Sequence, residues 1–97
     1  MDSKVIHKEK TKITLPKLYK VILLNDDYTT FDFVIEILQK IFNKTQQEAI
    51  NLTFKVDREG SAIVGIYPYE IAEMKVHQVH TIARSVGYPL RARIEEA

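Results

Sequence analysis

The feature that most constrains the fold is a joined unit near the start of the chain, in which a strand, a polar corner and an amphipathic helix follow one another without a spacer. Leu18 to Asn25 (LYKVILLN) is rich in β-formers and stops at Asn25-Asp26-Asp27, residue types that bond their own backbone and turn the chain. Thr29 and Thr30 are of N-cap type. Phe31, Val34, Ile35, Leu38, Ile41 and Phe42 then recur at helical spacing, so a helix is expected to about Phe42. The apolar face of each element has to be covered by what comes later.

Thr45-Gln46-Gln47-Glu48 reads as a capping box, in which the threonine and glutamate side chains satisfy each other's free amides at a helix start. Ala49, Leu52, Thr53 and Val56 give this second helix an inward stripe, and Asp57 to Gly60 is read as a turn. Ser61 to Tyr67 (SAIVGIY) is an apolar run of strand length closed by Pro68. Pro68, Glu70 and Glu73 suit the start of a third helix, and Arg84 followed by Gly87 signals its end. Ile71, Met74 and Ile82 are expected in the core. Leu90, Ala92 and Ile94 alternate with Arg91, Arg93 and Glu95, which predicts a final half-exposed strand. The order is β-α-α-β-α-β, and the expected class is α+β, a two-layer sandwich with a three-stranded sheet under three helices. The chain has 97 residues and no cysteine, so one domain must hold itself together by packing, without disulfides or thiolate metal sites.

Residues 1–16 (MDSKVIHKEKTKITLP) alternate lysine with polar residues and are expected to form a flexible tail, with residues 17–97 as the folded core. That core holds ten basic and eleven acidic side chains, too little positive charge for a nucleic-acid module. The longest apolar runs fall far short of a membrane span and no secretory segment precedes them, so a soluble cytoplasmic chain is expected, with no membrane partner.

The densest polar cluster is Asn25-Asp26-Asp27 with Thr29, where a strand gives way to a helix. Acceptors on a short rigid loop suit an α-ammonium group, with its three donors and one positive charge. A solvated turn that merely caps the next helix is the plainer alternative. Neighbouring carboxylates on an extended segment diverge, and neither a nucleophile nor a phosphate loop accompanies them, which speaks against acid-base catalysis. Glu73, His77 and His80 share one helical face, but the H-E-x-x-H pattern is absent, so neither a metal nor a cofactor is expected.

From Tyr19 to Leu38 the block YKVILLNDDYTTFDFVIEIL resembles the hallmark segment of the ClpS family, and the likeness continues through Ala62-Ile63, Gly65, Glu70 to Lys75 and Pro89-Leu90. The resemblance covers residues 17–97 and implies three helices on a small antiparallel sheet, in a monomeric adaptor that is not an enzyme. By it, Asn25 and Asp27 accept hydrogen bonds from a substrate's N-terminal amine, Asp26 shapes the loop and Asp57 approaches the same group. The first side chain, a leucine, phenylalanine, tyrosine or tryptophan, enters a pocket walled by Thr29, Phe31, Val34, Thr53, Val56 and Leu90. Glu70, Glu73 and Lys75 match the family's surface for the N-terminal domain of a ClpA- or ClpC-type unfoldase. Three positions depart from the commonest pattern: methionine usually stands where Phe31 and Thr53 do, and histidine where Asp57 does. Phe31 is larger and stiffer and Thr53 smaller, so the pocket is expected to be displaced rather than simply shrunk. Two rival readings are an interaction module like the C-terminal domain of the ribosomal stalk protein, and a metal-dependent enzyme using Asp26, Asp27, Asp57 or the histidines.

Overall fold

A computed structural model describes residues 15–97, so most of the expected N-terminal tail lies outside the described residues. The elements are β1 (Leu18–Leu24), α1 (Phe31–Phe42), α2 (Gln46–Glu59), β2 (Ser61–Pro68), α3 (Tyr69–Ser85) and β3 (Arg91–Glu96). β1 lies at the centre of an antiparallel sheet of order β2-β1-β3. Its central position explains its composition, since Val21, Ile22 and Leu23 are all buried. A bulge opposite Val21 and Ile22 leaves Val64 as the extra residue of β2, and Val64 is buried in the core. Among the described residues, no helix is long and apolar enough to cross a membrane.

The helix starts follow the local signals. Thr30 caps α1 by accepting from the Phe33 N–H at 3.2 Å, and Asn43 ends it in the left-handed region at φ 55°. At α2 the capping box forms in full: Thr45 Oγ1 accepts from the Glu48 N–H at 3.1 Å and Glu48 Oε1 from the Thr45 N–H at 2.9 Å. The buried stripe of α1, Val34, Ile37, Leu38, Ile41 and Phe42, packs towards the sheet beside Ala49 and Val56 of α2.

Two expectations are corrected. The segment from Asp57 to Gly60 is not a free turn, because α2 continues through Glu59. Asp57, Arg58 and Glu59 contain no helix breaker, and the helix stops only at Gly60, whose φ of 89° suits a residue without Cβ. Ile71, Met74 and Ile82 do not enter the core, being 41%, 50% and 40% exposed. α3 turns Ala72, Val79 and Ala83 inward instead, with Val76 partly buried between them. Small side chains along this stripe let the helix backbone lie close to the sheet, and larger residues are displaced to the flanks. Gly65 obeys a similar limit, since a Cβ there would run into the Tyr67 ring.

The strands give the molecule two ends. At one, Leu18 pairs with Pro68 and α3 begins at Tyr69. At the other, Leu24 pairs with Ser61 and Arg91, so the end of β1 meets the starts of β2 and β3.

Candidate functional site

That second end carries a pocket of about 280 Å³, with the loop after β1 along one side and the last two turns of α2 along the other. The Asn25 N–H donates to the Gly60 carbonyl at 2.9 Å, which fastens the start of the loop to the end of α2. This bond brings Asp57 across from Asn25, although thirty-two positions separate them in the chain. Val34, Thr53, Val56 and Leu90 are buried and form an apolar floor, while Asn25, Asp27, Phe31 and Asp57 are exposed on the rim. Asp26 and Thr29 lie between the two levels. The structure thus gathers all ten candidates for amine and side-chain binding around one cavity, together with Leu24, which was not singled out from the sequence.

Asp26 is committed to the loop itself. Its Oδ1 accepts from the Tyr28 N–H at 2.8 Å and the Thr29 N–H at 2.7 Å, and its Oδ2 accepts from the Thr29 hydroxyl at 2.8 Å. Partial burial pushes its carboxyl up, but the hydrogen bonds from Thr29 and Tyr28, with the charge of Arg84, outweigh burial and hold it below the usual carboxylate value. Asn25, Asp27 and Asp57 keep their side-chain oxygens free of hydrogen bonds to other described residues. The rim therefore offers one amide oxygen and two carboxylates to a cationic donor. Thr53 behaves as apolar lining, because its hydroxyl donates to the Ala49 carbonyl one turn back at 2.8 Å.

Three contributors escaped the reading of the sequence. Arg84 Nη1 donates to the carbonyls of Tyr88 at 2.9 Å and Leu90 at 2.8 Å, holding the segment that brings Leu90 to the floor. The Ala92 N–H donates to His80 Nε2 at 3.0 Å, a second tie from α3 to the same segment. Phe54 stacks edge-on against Phe31, with centroids 5.3 Å apart and planes at 86°. For Arg84 and His80 the linear sequence carries no signal, since their partners are backbone groups placed by the fold. Phe54 could have been noticed as an apolar residue outside the inward stripe of α2.

Of the residues assigned to unfoldase docking, Glu70 and Glu73 are exposed on the first turns of α3, at the opposite end from the pocket. Lys75 has a structural task. Its Nζ donates to the Ile41 carbonyl at 2.7 Å and sits 5.9 Å and 5.4 Å from the ring centres of Phe42 and Tyr67. A cation there complements the carbonyl end of α1 and the π faces beside it. Glu73, His77 and His80 are not assembled as metal ligands. His80 Nε2 is occupied by Ala92, His77 lies 3.4 Å from Thr81 Oγ1, and the described residues hold no group of three potential ligands.

Taken together, the fold and the pocket define a small two-layer α+β binding module with an acidic rim over an apolar floor. Residues 14–93 match the family described as ATP-dependent Clp protease adaptor protein ClpS. The ClpS adapter of Nautilia profundicola is 64% identical over 96 residues, covering 99% of both chains. That of Clostridium acetobutylicum is 52% identical over 89 residues, covering 92% of this chain and 88% of the other. Among solved structures, Agrobacterium tumefaciens ClpS2 bound to L-phenylalaninamide superposes with a TM-score of 0.83 at 36% identity, covering 86% of this chain and all of that one. The chain belongs to the ClpS family of Clp protease adaptors. The stalk-like module and the metal-dependent enzyme are thereby set aside as family assignments.

Proposed function

We propose that this chain captures proteins by a bulky apolar or aromatic N-terminal residue and delivers them to a ClpA- or ClpC-type unfoldase. The observation that carries the reading is the juxtaposition, within one cavity, of an apolar floor and a rim of unengaged acceptors. Asn25, Asp27 and Asp57 hold the α-ammonium, Asp26 keeps the loop in shape, and the first side chain descends onto Val34, Thr53, Val56 and Leu90. Burying a large side chain there contributes roughly 1.5–3 kcal/mol. The amine adds charge-assisted hydrogen bonds that an internal residue of a protein cannot offer. The ligand of the Agrobacterium relative combines the same features: a free amine, an aromatic side chain, and an amide where the next peptide bond would stand. On this reading no bond is broken by the adaptor, and proteolysis belongs to its partner.

Calorimetric titration with peptides that differ only in their first residue tests the proposal. Leucine, phenylalanine, tyrosine and tryptophan are expected to bind about tenfold or more tightly than alanine, in line with the apolar area each buries. Equal affinities across the series would overturn it.

Docking is assigned to the first turns of α3, where Glu70 and Glu73 face solvent. Glu70→Lys with Glu73→Lys is expected to abolish pull-down of the unfoldase's N-terminal domain and to leave peptide affinity within about twofold, since rim charges far from a site act weakly across more than a Debye length. Undiminished pull-down would remove α3 from the interface. Lys75 is left intact in this test, because its loss would also uncap α1.

A further inference from the structure

Leu90 reaches the pocket floor on the connection between α3 and β3, and its place there is fixed by two side chains of α3 that stand one turn apart. Arg84 holds the carbonyls of Tyr88 and Leu90, and His80 accepts the Ala92 N–H on the far side of Leu90. The Tyr88 ring also rests against that of Phe33, with centroids 4.9 Å apart. A guanidinium stays charged at any pH a protein meets. An imidazole does not, so of the two ties from α3 only His80 can be switched by a proton.

Because Nε2 accepts, the neutral ring carries its proton on Nδ1. Protonation would set a second N–H against that of Ala92 at 3.0 Å, donor facing donor. It would also add a positive charge among others of the same sign, since the groups whose charge acts on the ring are Arg84 and His77 on α3 and Arg91 on β3. We propose that His80 is a positioning residue for cargo binding, whose neutral ring holds Leu90 in the floor and whose protonation releases it. The consequence for affinity rests on the capture reading given above. Burial, with the charge of Arg84, holds the ring below its ordinary 6.5, so the closed floor is the form present at neutral pH. Affinity then falls as pH drops through that lowered value. The window lies between the ordinary carboxylate range near about 4 and that of a peptide's amine near about 8. By reciprocity, bound peptide makes the ring harder to protonate.

Calorimetric titration of a leucine-starting peptide between about pH 7 and about pH 5 tests the proposal. On the unaltered protein, affinity is expected to fall about fivefold across that range, the scale of one lost hydrogen bond. His80→Gln keeps an acceptor, because its carbonyl oxygen stands as many bonds from the backbone as Nε2, but it takes up no proton. This variant is expected to bind within about twofold of the parent at the upper pH and to show no fall, whereas His80→Ala binds about fivefold more weakly at both ends. In the unaltered protein the Leu90 methyl and Ala92 amide NMR signals are expected to move with the His80 ring on one titration curve. A flat profile for the unaltered protein, a fall that persists in His80→Gln, parental affinity in His80→Ala, or Leu90 signals indifferent to the ring would each overturn the proposal. A peptide that binds at no pH would overturn the capture reading instead, and the NMR titration would still decide whether the ring holds the floor.

Discussion

Acetylating the amine of a leucine-starting peptide is expected to weaken binding by about a hundredfold or more. The modification removes the positive charge and two of the three donors while leaving the side chain free to enter the pocket. Charge-assisted hydrogen bonds are worth roughly 1.5–3 kcal/mol each, so losing two amounts to at least about 3 kcal/mol, or two orders of magnitude in affinity. Asn25, Asp27 and Asp57 would also be left facing an uncharged group in place of a cation. A companion dependence follows from the ligand: an α-amino group loses its proton near pH 8, so affinity should decline as pH rises through about 7.7–8.0. Matched calorimetry on free and acetylated peptides decides the matter, and equal dissociation constants would end the amine-capture reading.

Asp26→Ala is expected to weaken peptide binding by about tenfold to a hundredfold although Asp26 offers no free oxygen to the ligand, because the truncation strands donors and loosens the loop. The Tyr28 and Thr29 N–H groups would lose their acceptor, and with them the turn that aims Asn25 and Asp27. Asp26→Asn keeps one acceptor oxygen for both amides and should retain most of the affinity. If the two variants bind equally well, the carboxylate does not organise the loop. The same bonds give the loop a pH dependence. The carboxyl is held below its ordinary 3.8 in the folded chain, so its contribution is complete above that value and is lost as pH falls through the lower folded one. Loop order followed by NMR from neutral pH down to about pH 3 should fade at the acid end in the parent, while Asp26→Asn stays unchanged over that range.

What could be read from the sequence was whatever the chain settles locally. Thr30, the Thr45–Glu48 box and Gly87 act within a few residues of themselves, and each lies where its signal placed it. Asp57 was misread because the position of Gly60 decides where α2 ends, and a polar stretch before a glycine looks alike as a turn or as a last helical turn. Ile71, Met74 and Ile82 were misread for a different reason: which face of α3 turns inward depends on how closely the sheet lets a helix approach, and alanine wins that contest over larger residues. The pocket joins Asp26 to Leu90, sixty-four positions later, and spacing carries no trace of that meeting. Only the family resemblance pointed to it. The bond from Lys75 to the end of α1 left no mark in the sequence, because its acceptor is a carbonyl thirty-four residues away.

The two ends of the sheet have a consequence for the order of events. β1 crosses the molecule in seven residues, about 23 Å, from the end where α3 begins to the end that carries the pocket. On the proposed reading, cargo and machine then meet the adaptor on surfaces that do not overlap, so neither has to leave before the other arrives. Loading is free to occur in either sequence, in solution or on an adaptor already docked, and an adaptor that has released one protein can receive the next without undocking.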